Sequence, residues 1–66
     1  MPNFLFEILS GEYEGEEFFA QAPEKVDAFS CARKIAEGGK IRLLDICSDE
    51  EAEWMGYDTY SFDDFF

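Results

Sequence analysis

Carboxylates dominate the chemistry open to this chain. It carries sixteen Asp and Glu against five Lys and Arg, with no His and only two Cys. Without histidine it lacks the side chain most often used for proton transfer near neutral pH, and a Cys-His pair cannot form. Ser10, Ser30, Ser48 and Ser61 have no histidine base, and no lysine lies in a Ser-Lys motif. Paired carboxylates serve glycosidases, but that chemistry needs a groove for a sugar ring, which 66 residues scarcely provide. The expectation is that the protein is not an enzyme.

Nor does a cofactor motif emerge. Gly38-Gly39-Lys40 has the look of the end of a phosphate-binding loop, yet Ile41 stands where Ser or Thr should hold magnesium, and the upstream glycine spacing is wrong. Asp45, Asp49, Glu50, Glu51 and Glu53 offer hard oxygen ligands over nine residues, without the alternating acids, central glycine and closing glutamate of a calcium loop. Weak calcium binding is an alternative reading. Two separated cysteines and no histidine disfavour zinc. No cofactor and no metal are expected.

What the acids can do is present charge in an array. Residues 1–24 contain six acids and no base, and residues 43–66 contain eight acids and no base. All five bases, Lys25, Arg33, Lys34, Lys40 and Arg42, lie between them with Asp27 and Glu37. Most carboxylates therefore lack a sequence-local cation. Glu12, Glu14 and Glu16 alternate, so an extended chain would line them on one face about 7 Å apart, a spacing similar to that of nucleic-acid phosphates. On a helix, Glu50 and Glu53 stand about 5–6 Å apart, with Asp49 beside Glu53. Asp58, Asp63 and Asp64 extend the acidic surface.

Solubility alone, or simple helix capping by Asp49–Glu51, is the plainer explanation for part of this charge. Fourteen acids in two base-free blocks exceed it, because a solubilising surface normally mixes both signs. The net charge of −11 also argues against direct binding to nucleic acid or an anionic membrane.

The elements that must hold these residues fit one compact acidic domain over residues 1–66. Apolar residues make up 47% of the chain and twelve side chains are aromatic, enough for a core despite the charge. Asn3–Leu9 reads as a strand and Glu16–Ala22 as its hairpin partner, with Phe18 and Ala20 on one face and Phe19 and Gln21 on the other. Either Gly11 or Gly15 could make the turn. Pro23 suits a first helical position, and Val26, Phe29, Ala32 and Ala36 repeat at helical spacing, with Ala28 and Ile35 widening the face, until Gly38-Gly39. Lys40–Cys47 reads as a buried strand. Ser48 followed by Glu51 has the form of a capping box for a short acidic helix ending near Gly56, and Tyr57–Phe62 alternates like an edge strand. The expected class is α+β: a small antiparallel sheet, made of the N-terminal hairpin and one or two C-terminal strands, packed on one central helix, with a second short acidic helix.

Phe4, Phe6, Phe18, Phe19 and Phe29 are expected in the core, and Cys31 and Cys47 as free thiols packed like small apolar groups. Trp54, Tyr57, Tyr60, Phe62, Phe65 and Phe66 lie among acids in a segment too short to bury them all, so some are candidates for an apolar anchor rimmed by charge, or for a homodimer contact. Met1-Pro2-Asn3 lacks the basic start of a signal peptide and Glu7 interrupts the apolar stretch that follows, so a reducing cytoplasm is expected.

In size, charge and its acid-aromatic stretch Glu50-Glu51-Ala52-Glu53-Trp54-Met55-Gly56-Tyr57-Asp58-Thr59-Tyr60, the chain resembles the phage-encoded inhibitors that disarm bacterial defence, namely anti-CRISPR proteins and antirestriction DNA mimics. The resemblance is one of type, without a residue-by-residue motif. It implies a bacterial host cytoplasm and a basic nucleic-acid-binding protein as partner, such as a CRISPR surveillance complex near its PAM-reading site or a restriction enzyme. Glu12, Glu14, Glu16, Asp49, Glu50, Glu53 and Asp58 would supply charge in place of phosphates, and Trp54 or Tyr57 a desolvated anchor. An acidic adaptor docking through a sheet edge or the aromatic tail is the competing reading.

Overall fold

The computed structural model describes residues 1–66. Alternation of aromatic and aliphatic side chains builds strand β1 (Asn3–Ile8), and β2 (Glu17–Gln21) returns beside it, pairing Phe4 with Ala20 and Phe6 with Phe18. Both glycines of the connecting loop are used. Gly11 and Gly15 take φ values of 95° and 91°, and the Gly15 amide donates to the Ile8 carbonyl, closing the hairpin.

Helix α1 (Lys25–Ala36) crosses one face of the sheet, burying Ala28, Cys31, Ala32 and Ala36 against Phe4, Phe6, Ile8, Phe18 and Ala20. Small helical side chains let the helix approach closely, and the strand phenylalanines fill the space, with Phe6 edge-on to Phe29 at 5.0 Å between centroids. The apolar stripe runs through Cys31 rather than Val26, which is 64% exposed, because positions 28, 31, 32, 35 and 36 form the continuous face. Pro23 sits ahead of the helix, outside it, and Glu24 takes the N-cap position. At the far end Glu37 closes α1 in a left-handed conformation, φ 50°, and Gly38 follows at 91°. Gly39 then passes so close to the Ser10 carbonyl that any β-carbon there would collide with it.

Strand β3 (Ile41–Cys47) pairs antiparallel with β1, helix α2 (Asp49–Met55) follows, and β4 (Thr59–Ser61) pairs with β2 before a single 3-10 turn, Phe62–Asp64. The strand order is β3-β1-β2-β4. The class is α+β, as the sequence suggests. The sheet is mixed, however: three strands are antiparallel, but β4 runs parallel to β2 because the chain crosses the sheet as α2 before returning. β3 is an edge strand rather than a buried one, leaving Arg42, Leu44, Asp45 and Ile46 exposed. Its ladder shifts between Leu5 and Phe6, so Leu44 is an extra residue bulged out of register. No helix is long and apolar enough to cross a membrane.

Candidate functional site: an acidic helix and an aromatic cleft

The capping box expected from Ser48 and Glu51 forms. The Ser48 hydroxyl accepts from the Glu51 amide at 3.2 Å, while the Glu51 carboxylate accepts from the Ser48 amide at 3.4 Å. A second tie comes from β1, where the buried Asn3 side-chain amide donates to Asp49 Oδ1 at 2.7 Å and to the Cys47 carbonyl at 3.4 Å. Asn3 Oδ1 is left buried without a partner, which is a local cost accepted where α2 is fastened to the sheet. Beyond these ties the helix packs through Ala52 alone, in a small cluster with Leu5, Phe19 and Cys47.

The rest of α2 faces water. Asp49, Glu50, Glu51 and Glu53 are exposed, and Trp54, the largest side chain in the protein, is 89% exposed beside Met55. Glu50, Glu51, Trp54 and Met55 line one shallow depression. No cation relieves this surface. Lys25, Arg33 and Lys34 ride on α1 across the opposite face, and Lys40 and Arg42 lie at the end of the β3 segment remote from α2. The protein contains one ion pair, Arg42 to Glu7 at 3.0 Å, so fifteen of its sixteen carboxylates have no cationic partner within bonding range. That pair sits beside a like-charge contact, since Glu7 and Glu17 are directly opposed across β1 and β2.

The nine residues singled out in the sequence do not form one array. Glu12, Glu14 and Glu16 lie in the hairpin loop, whereas Asp49, Glu50, Glu53 and Trp54 lie on α2, which starts beside Asn3 at the other end of β1, roughly 17 Å away by strand rise. The extended glutamate ladder is absent. The Glu14 amide donates to the Gly11 carbonyl and the Glu16 amide to the Tyr13 carbonyl, so the two left-handed glycines fold the segment into turns. Tyr57 packs on Phe19, 6.0 Å between ring centroids, and anchors the chain leaving α2. Asp58 follows at the outer side of β2, its carbonyl accepting from the Phe19 amide.

Asp58 instead joins Glu16 in a cleft of about 450 Å³ between the hairpin loop, the end of α1, β4 and the C-terminal turn. Glu37 adds a third carboxylate, whereas the Glu17 side chain alternates to the other face of the sheet beside Glu7, and Tyr13, Phe18, Tyr60 and Phe65 supply aromatic walls. Lys34 is the one cation in the lining, and its ammonium lies 4.4 Å from the Phe66 ring centroid. Glu37, and after it Glu12, raises the pKa of the Tyr13 hydroxyl above its ordinary value. Neither Tyr13 nor Glu37 stands out in the sequence, because nothing local signals that the hairpin loop and the end of α1 meet.

Cys31 and Cys47 are free and buried, one on each side of the sheet. Burial raises both thiol pKa values, helped by Asp64 at Cys31 and by Asp45 and Glu51 at Cys47. The carboxylates offered as calcium ligands diverge: no group of three or more Asp, Glu, Cys or His side chains converges on a point that could hold a metal ion. No family model, curated protein or solved structure matches the chain.

Proposed function

We propose that the protein is an acidic binding module that occupies a cationic, nucleic-acid-binding surface of another protein and excludes nucleic acid from it. The contact surface is α2, with Glu50 and Glu53 supplying charge and Trp54 an apolar anchor, flanked by Asp49 and Tyr57. One observation carries this reading: a capped, fastened helix presents four carboxylates and a nearly fully exposed tryptophan on a surface that holds no base.

Like charges held this close repel one another, and an exposed indole forgoes burial worth about 1.5–3 kcal/mol for a large apolar side chain. A cationic groove removes both penalties, the carboxylates taking the place of phosphates and the indole filling a desolvated pocket. Rigid fastening by Ser48, Glu51 and Asn3 lowers the ordering cost on binding. The hairpin-loop acids Glu12, Glu14 and Glu16 add long-range attraction rather than contact. Similarity of type to anti-CRISPR proteins and antirestriction mimics makes a type I CRISPR effector or a restriction enzyme the natural target class.

The test is competition. Purified type I CRISPR effectors and restriction endonucleases are incubated with labelled target duplex in a mobility-shift assay, and the protein is added at increasing salt. Loss of the DNA shift with at least one target, weakened on the order of tenfold or more by Glu50→Lys with Glu53→Lys and by added salt, is the expected result. Binding of the protein beside retained DNA, or inhibition unchanged by the double variant, would replace this reading with that of an acidic adaptor.

A further inference from the structure

We propose that the cleft between the hairpin loop, the end of α1, β4 and the C-terminal turn is a separate binding site for an organic cation of the size and shape of an arginine or lysine side chain. It stands on the cleft alone and does not depend on the reading of α2. At about 450 Å³ the cleft falls in the ~300–1,000 Å³ range of small-molecule sites.

Its lining combines the two chemistries that an amphipathic cation requires. Ile8 and Phe18 form a buried floor, and Tyr60 and Phe65, 6.2 Å apart, continue it as an aromatic wall. Glu16, Glu37 and Asp58 bring carboxylates to the lining from three segments distant in sequence. An alkyl stem can lie on the floor while its charged head meets ring faces and carboxylates together.

The one base in the lining, Lys34, does not neutralise these acids. Its ammonium is stacked on Phe66 and pairs with none of the three carboxylates, since the only ion pair in the protein is Arg42 with Glu7. Anions are repelled by the three acids. A metal ion is the wrong class, because no three carboxylates converge and aromatic walls supply few oxygen ligands. A guanidinium fits best, being planar for stacking on Tyr60 or Tyr13 and forked for carboxylates.

The isotope-labelled full chain is titrated with agmatine, with the capped peptide acetyl-Gly-Arg-Gly-amide and with its uncharged citrulline counterpart, following side-chain resonances by NMR. The expected result is saturable shifts at Tyr13, Phe18, Tyr60 and Phe65 with the two guanidinium probes and none with citrulline. Combining Glu16→Gln, Glu37→Gln and Asp58→Asn, all at exposed positions, should weaken binding by at least ~10-fold, whereas Glu50→Gln with Glu53→Gln should leave it unchanged. Tighter binding of the peptide assigns the site to a partner's arginine, and tighter binding of agmatine assigns it to a free amine. Shifts spread equally over α2, an equal response to citrulline, or affinity unchanged in the triple variant would overturn the proposal.

Discussion

α1 covers one face of the sheet and contributes four small side chains, Ala28, Cys31, Ala32 and Ala36, to a cluster of ten buried residues, whereas α2 covers the other face and contributes only Ala52 to a cluster of four. The two helices differ in what they leave outside. α1 turns its aromatic Phe29 inward against Phe6, but α2 turns Trp54 outward among glutamates. Hydrophobic burial concentrates on the α1 side, so the fold rests there. The α2 side is held by hydrogen bonds at its first turn, an attachment that positions a helix without hiding it.

The contrast breaks most readily in the core. Phe6 is fully buried and touches both Phe18 and Phe29, so Phe6→Ala should cost about 3–5 kcal/mol, a loss that a domain of this size scarcely survives. Urea unfolding followed by circular dichroism would register it as a collapse of the transition midpoint. A cost under about 1 kcal/mol would mean that stability is shared evenly between the faces.

An intermediate effect is expected at the fastening of α2. Ser48→Ala removes the hydroxyl that receives the Glu51 amide, and should cost about 1 kcal/mol. Because α2 contributes so little to the core, the loss should fall on local opening rather than on global unfolding. Hydrogen exchange separates the two: amides of residues 51–55 should exchange faster while those of β1 keep their protection. Equal acceleration in β1 would make α2 part of the cooperative core and erase the distinction between the helices.

Local signals made α1, α2 and the hairpin legible in the sequence. Spacing of small apolar residues marked the first helix, Ser48 with Glu51 marked the start of the second, and Gly56 its end in a left-handed conformation, φ 74°. Hydrophobicity and alternation alone do not decide where a segment sits or what it forms. Ile41–Cys47 has the composition of a central strand, yet it lies at an edge, because strand order is decided by where α1 deposits the chain and not by the strand itself. Glu12, Glu14 and Glu16 alternate as in a strand, but the glycines flanking Tyr13 prevail over alternation and make turns. The cleft was illegible for a different reason. Its carboxylates meet only through the hairpin, the end of α1 and the parallel return of β4, contacts that no single segment encodes.

The smallest effect on stability carries the sharpest information about the α2 face. Trp54 is 89% exposed, so Trp54→Ala removes almost no buried area and should change the unfolding free energy by less than about 0.5 kcal/mol. The same substitution should weaken competition with DNA on the target on the order of tenfold, as truncation of an aromatic anchor does at protein interfaces. A side chain silent in folding and decisive in binding is the signature of a surface held ready for a partner. Destabilisation beyond about 1 kcal/mol would instead place the indole against the sheet in solution. Unaltered competition would leave the carboxylates to act by charge alone, and inhibition should then vanish at salt concentrations that shorten electrostatic reach to about 3 Å.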